Sequence, residues 1–243
     1  RSDLTVFIFL FGVIIGSFLN VCIYRIPEGI SIVTPGSFCP RCKHPLSWRD
    51  NIPLFSYIFL RGRCRYCNNK ISLQYPLVEF ITGMIFLLFY LKFGLSFSFF
   101  VFITVASLLL IAMFIDLKFM LLPDIVMLPG IIISIIYALI YGFPYNFISA
   151  LGFAVAFYAL GAIFKGGLGF GDVELIVIIS LLLGFYETLS VVILSSLIGT
   201  IYGLYLIKKE NAGMRTKIPF GPFLISSFLL VSIFNIQVFY LPH

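Results

Sequence analysis

Residues 97–115 read FSFFVFITVASLLLIAMFI, nineteen positions without a single charged side chain, and Asp116 follows directly. A helix crosses the ~30 Å hydrocarbon core of a bilayer with about 20 mostly apolar residues. This stretch is therefore predicted to be a transmembrane helix. Working outward, comparable apolar runs occupy 4–24, 77–91, 125–141, 146–164, 173–185, 187–207 and 220–241. Two of them meet at Gly184-Phe185-Tyr186-Glu187, either as a tight hairpin or as one broken element. The reading is eight spans, with seven as the fallback. The first run is too long, and too polar around Gly16, Ser17 and Asn20, for a cleavable signal peptide, and no small-residue cleavage site follows it.

Composition agrees. Of 243 residues 61% are hydrophobic and 11% charged, with a mean hydropathy of +1.12. Soluble domains carry about 25% charged residues. A soluble globular protein, a disordered chain, a collagen, a coiled coil and a disulfide-rich miniprotein are excluded. The expected fold class is an all-α polytopic membrane protein of about eight transmembrane helices, with a small four-cysteine, zinc-binding loop domain.

The net charge of +6 reports topology rather than nucleic-acid binding, because no basic stripe lies on a polar helix face. Arg25, Arg41, Lys43, Arg49, Arg61, Arg63, Arg65 and Lys70 lie in the loop 25–75. Lys118, Lys165, Lys208, Lys209, Arg215 and Lys217 fall on the same side if there are eight spans, leaving Arg1 and Lys92 on the other. The excess of lysine and arginine on cytoplasmic loops then places that side in the cytosol and both termini outside.

The same loop holds Cys39-Pro40-Arg41-Cys42 and Cys64-Arg65-Tyr66-Cys67. Two C-x2-C pairs present four thiolates on two tight turns, which suits tetrahedral zinc. A reducing cytosol disfavours disulfides, and metal binding would order a loop this poor in apolar residues. Four sulfur ligands leave no open position, so the zinc is expected to be structural. Redox-active dithiols are the alternative. His44 is read as a loop histidine, and Cys22 as a small buried side chain of the first span.

Carboxylates at the ends of apolar spans form the last signal: Glu79, Asp116, Asp124, Asp172 and Glu174. Ionisable groups there are costly and often functional. Two carboxylates brought together from different helices are the equipment of an aspartic protease, sharing one proton between them. The glycines of the 166–171 segment would admit a substrate backbone closely. Plainer roles are a helix cap for Asp124 or Asp172, a salt bridge from Asp116 to Lys118, and an arginine partner for Glu79. Carboxylates alone also suit an ion- or metal-coupled transporter with a regulatory zinc domain, the competing reading.

In combination the motifs are more specific. They are Gly16-Ser17-Phe18-Leu19-Asn20 leading to Tyr24-Arg25-Ile26-Pro27, the two cysteine pairs, and Trp48-Arg49-Asp50-Asn51-Ile52-Pro53 between them. Tyr75-Pro76-Leu77-Val78-Glu79, Asp116, Leu122-Pro123-Asp124 and Gly169-Phe170-Gly171-Asp172 follow. In this order the chain, from about Gly16 to Tyr205, resembles the bacterial type IV prepilin peptidases, membrane aspartic proteases of the GxGD type. The resemblance implies an inner-membrane enzyme, its active site facing the cytosol, that removes the basic leader of prepilins or pseudopilins. It implies Asp116 and Asp172, rather than Asp124, as the catalytic pair. It also implies N-methylation of the new amino terminus with S-adenosylmethionine, for which no residues are assigned. One departure stands out: the family often has lysine where this chain has Glu174. The expected division is a first helix 1–24, a zinc-binding domain 25–75 and a protease domain 76–243.

Overall fold

The computed structural model describes residues 2–163, 169–210 and 218–237. Nine α-helices carry the described chain: α1 (Ser2–Arg25), α2 (Phe55–Phe59), α3 (Gln74–Phe93), α4 (Phe97–Phe119), α5 (Asp124–Tyr141), α6 (Tyr145–Ile163), α7 (Phe170–Leu183), α8 (Phe185–Glu210) and α9 (Gly221–Phe234). A 3-10 turn covers Trp48–Asn51. The only β pairing among the described residues is two isolated bridges, Phe38 with Pro45 and Arg63 with Lys70.

Each of the eight expected apolar runs falls wholly or partly in a helix, 220–241 only as far as Phe234, but among the described residues only six of those helices (α1, α3, α4, α5, α6 and α8) are long and apolar enough to cross a membrane. The runs expected at 173–185 and 220–241 form α7 and α9, each of 14 residues. Glycine sets the end of α7: Gly184 takes φ +81° and its N–H closes onto Ser180 O at 2.9 Å. The chain forms two compact units, Arg1–Ile103 and Thr104–His243, which meet within α4.

In the first unit α1 and α3 run antiparallel. Their order of contact shows it: Gly12 faces Phe86, Gly16 faces Glu79, and Asn20 donates to Tyr75 O at 3.0 Å. Small residues let the two backbones approach. A Cβ on Gly16 would stand 2.7 Å from Glu79 Cα, and one on Gly83 2.6 Å from Val13 Cγ2. Arg25 closes α1 differently from a solvated loop cation. It is buried, and its guanidinium donates to Ser31 O at 2.9 Å and Gly36 O at 3.0 Å, so it shapes the start of the loop.

In the second unit α7 packs against α5, α6, α8 and α9. Leu175, Ile176, Ile178 and Ile179 are fully enclosed. A helix apolar all round and covered all round is a core helix. Large apolar side chains of its neighbours point outward, among them Ile132 and Leu139 of α5, Leu151 and Val155 of α6, and Leu197 and Ile201 of α8. Outward leucine and isoleucine are stable against lipid, where packing rather than water drives helix association.

Candidate functional site

Asp116 lies one turn before the end of α4, and Asp172 is the third residue of α7. Both are buried. The second unit brings them together: each carboxylate lies within the electrostatic reach of the other. Each is also held by a backbone donor. Gly169 N–H donates to Asp172 Oδ2 at 3.1 Å, a half capping box in which the residue before the helix has no side chain to reciprocate. Gly221 N–H, at the first position of α9, donates to the Asp116 carboxylate. Two helix N-termini thus point free N–H groups at two acidic side chains.

The packing around the pair allows no slack. A Cβ on Gly221 would stand 2.6 Å from Asp116 Oδ2, and one on Gly171 2.8 Å from Leu122 Cβ. Leu122 also lies 3.5 Å from the Gly221 position, so one leucine wedges between the backbones that carry the two aspartates. Sequence reasoning missed Gly221. Its signal was present in Pro219-Phe220-Gly221-Pro222, a helix start with proline in the first turn.

The plainer roles do not fit. Asp116 pairs with neither Lys118, which is exposed, nor an arginine among the described residues. Asp124 is exposed, and Pro123, not Asp124, occupies the N-cap of α5. The exception is Asp172, which sits at the third helical position and does cap the helix start by accepting Gly169 N–H. Glu174 is half-buried, and Asp124 lies within its electrostatic reach. Glu79 is buried, and no arginine meets it among the described residues. Its Oε2 accepts Leu54 N–H at 2.8 Å, and Ser17 donates to the same carboxylate. Lys165 and residues 166–168 of the glycine run lie outside the described residues, as do Arg215, Lys217 and His243.

The first unit holds the second constellation. The Sγ atoms of Cys39, Cys42, Cys64 and Cys67 all lie within 4.8 Å of one another. Tetrahedral Zn–S bonds of ~2.3 Å require sulfurs about 3.8 Å apart. Cys39 and Cys67 stand at 4.0 Å, twice the ~2.05 Å of a disulfide, and all five cysteines are free. The two pairs fold alike. Cys39 N–H donates to His44 O and Lys43 N–H to Cys39 O; Cys64 N–H donates to Asn69 O and Asn68 N–H to Cys64 O. Lys43 and Asn68 occupy the same left-handed position, each at φ 59°.

Hydrogen bonds from the Asn69 backbone N–H lead in pulling the Cys67 thiol down to about 7. At Cys42 the His44 backbone N–H is outweighed by desolvation and by hydrogen bonding with Cys39 and Cys67, which raise it to about 11. Four sulfur donors this close could hold a metal ion, and a dication with sulfur affinity fits them. His44 is not a ligand: its ring lies against Tyr66, centroids 3.8 Å apart. Asp50 braces the second turn, bonding Arg65 Nε at 2.7 Å and Tyr66 OH at 3.1 Å. Cys22 is buried in α1, apart from the cluster.

Comparison with known proteins gives matches in both halves. The bacterial peptidase A24 N-terminal domain matches residues 10–93, and the type IV leader peptidase family matches residues 103–204. A Myxococcus xanthus protein is 38% identical over 221 residues, which span 87% of this chain and 66% of that protein. An Aeromonas salmonicida protein is 33% identical over 250 residues, 89% of this chain and 86% of its own. For a Bacillus subtilis protein the figures are 32% over 231 residues, 94% and 93%. All three carry the name prepilin leader peptidase/N-methyltransferase. No solved structure gives a significant match.

Proposed function

This chain belongs to the type IV leader peptidase family, and from that premise we propose that it removes the basic leader of prepilins or pseudopilins, with Asp116 and Asp172 as the catalytic pair, and methylates the new amino terminus. One observation carries the assignment of the pair. Two buried carboxylates from different helices lie within each other's field, and each accepts a backbone N–H. That is the arrangement in which two carboxyls hold one proton between them. The ionised carboxylate takes a proton from water as the water attacks the scissile carbonyl. The protonated one donates to the carbonyl oxygen, giving a gem-diol; on its collapse the first carboxyl passes the proton it took from water to the leaving nitrogen, and the second recovers its proton from the gem-diol hydroxyl.

The backbone donors have a part in this. Gly169 and Gly221 fix one oxygen of each carboxyl and leave the other for the reaction, so the pair does not reorganise as charge moves. A peptide bond within a helix is already hydrogen-bonded, so the scissile segment must be extended. An apolar substrate helix with a basic leader provides such a segment where it leaves the membrane.

The four cysteines fit zinc in a structural role, since four sulfurs leave no position for a catalytic water. S-adenosylmethionine would supply the methyl group of the second activity. The buried polar side-chain atoms without a partner, Asn20 Oδ1 in α1 and the hydroxyls of Ser134, Ser149, Ser180 and Ser227, form no nucleotide cradle among the described residues. Eight spans with the basic loops in the cytosol is the topology the lysine and arginine distribution supports.

The experiment is incubation of the purified full chain with a model prepilin, read by mass spectrometry. Loss of the leader together with a one-methyl mass increment on the product is the expected result. An intact leader under conditions where the zinc loop is folded would overturn the proposal.

A further inference from the structure

Helix α2 carries large apolar side chains on a loop that is otherwise polar. Phe55, Ile58 and Phe59 fall at i, i+3 and i+4, one face of a helix, and all are exposed, Phe59 by 81%. Trp48, in the turn before α2, is 73% exposed. Turn and helix are one body, because Ser56 Oγ donates to Arg49 O at 2.7 Å. Apolar surface displayed this way is ordinarily covered by a partner.

The position of α2 along its neighbour identifies the cover. Leu54, the residue that opens α2, donates its N–H to Glu79, and Ser17 of α1 donates to the same carboxylate. Glu79 is the sixth residue of α3, about 8 Å along the helix from its start at 1.5 Å per residue. Leu77 and Phe80, on either side of it, are exposed, Phe80 also resting edge-on against Phe9 of α1. The hydrogen bond therefore holds α2 at the level where α3 already exposes apolar side chains to its surroundings. Interfacial helices bury their apolar face roughly 5–10 Å into the boundary between headgroups and acyl chains.

Charge selects among apolar partners. The loop 25–75 carries eight lysines and arginines against Glu28 and Asp50. A four-thiolate zinc centre, formally doubly negative, leaves it positive. Arg61 and Arg63 follow α2 directly and are exposed. Such a surface repels a basic peptide and attracts anionic headgroups. We propose that α2 and the Trp48–Asn51 turn form an interfacial anchor, with Phe55, Ile58 and Phe59 in the acyl–headgroup boundary of an anionic bilayer and Arg61 and Arg63 on its phosphates. The anchor fixes the four-cysteine loop to the membrane surface. It does not depend on the protease reading.

The chain contains one tryptophan, Trp48, which makes the test direct. The full chain is reconstituted in phosphatidylcholine vesicles with or without phosphatidylglycerol, brominated at a shallow or a deep acyl position. Phe59→Trp in a Trp48→Phe background puts the fluorophore on α2 itself. Its emission should be blue-shifted, quenched more by shallow than by deep bromine, and protected from aqueous iodide. Wild-type Trp48 gives a reading without any substitution and should show the same order of quenching. Arg61→Gln with Arg63→Gln should abolish any gain in quenching on adding phosphatidylglycerol. Free quenching by iodide with none by bromine would overturn the proposal, and so would stronger quenching by deep bromine. Protection that arises only on adding a basic-leader peptide would assign the face to substrate and also overturn it. A phosphatidylglycerol effect that survives removal of both arginines would refute their role.

Discussion

Replacing Gly221 by alanine tests whether Asp116 acts from the position it occupies. The new Cβ would stand 2.6 Å from Asp116 Oδ2. Ordinary contact begins near 3.4 Å, so the carboxyl or the start of α9 must retreat by about 0.8 Å. Backbone strain does not enter, because Gly221 is not among the glycines with positive φ. The retreat also disturbs the Gly221 N–H bond to the same carboxylate. Misplacement of a catalytic group by about 1 Å costs on the order of 100-fold in rate, or about 2.7 kcal/mol in the barrier. Steady-state cleavage of a prepilin peptide in detergent should show that loss in kcat, with KM little changed. Gly152→Ala is the control, since nothing lies within 4 Å of its added carbon, and it should be silent. An unchanged circular-dichroism spectrum and thermal midpoint report that the chain is intact. A Gly221→Ala protein with full kcat would refute the claim that Asp116 works where it stands.

Asp116→Asn and Asp172→Asn should each abolish cleavage, because an amide cannot share the proton; Asp124→Asn, at an exposed helix start, should keep most of it in the same assay. Elemental analysis should find about one zinc per chain, and any single cysteine-to-serine change at 39, 42, 64 or 67 should lower it and make the loop sensitive to protease. The loop should also open in acid. Asp50 gains hydrogen bonds from Ser47, Tyr66 and Arg65 that outweigh its desolvation and hold its carboxyl below the ordinary 3.8. A lowered folded pKa contributes stability that is present above pH 3.8 and lost as pH falls through the folded value. Limited proteolysis against pH should show that loss, and Asp50→Asn should flatten the profile.

The long apolar runs were legible because eight stretches of hydrocarbon side chains leave few alternatives, and the cysteine pairs because the spacing itself encodes the geometry. The lengths of α7 and α9 were less so. Hydropathy marks where a helix is apolar and not where Gly184 or Asn235 ends the backbone pattern. Asp124 and Asp172 look alike locally, each at the start of an apolar run, and only tertiary packing separates an exposed first-turn acid from a buried one. Gly221 could not be linked to Asp116 from sequence, since 104 intervening residues carry no record of which helix end returns to α4. Nor was the conformation of Lys43 foreseeable. A glycine or asparagine would have signalled its left-handed backbone, as Asn68 does in the matching turn.

Helices α7 and α9 have a consequence for the lipid around them. At 14 residues each is about 21 Å long, against a hydrocarbon core of about 30 Å. Both begin at the aspartates. Helix α7 is enclosed by its neighbours and α9 exposes only Leu230 and Phe234 among its large apolar side chains, so over the unspanned depth the bilayer around the bundle either thins locally or water enters among the helices. On the proposed mechanism hydrolysis needs a water molecule beside two buried carboxyls, and the short helices would bring water nearer to them without a dedicated channel. Membrane thickness thereby becomes a variable of the chemistry. Longer acyl chains stretch the mismatch and retard hydration of the pair, while shorter ones relax it.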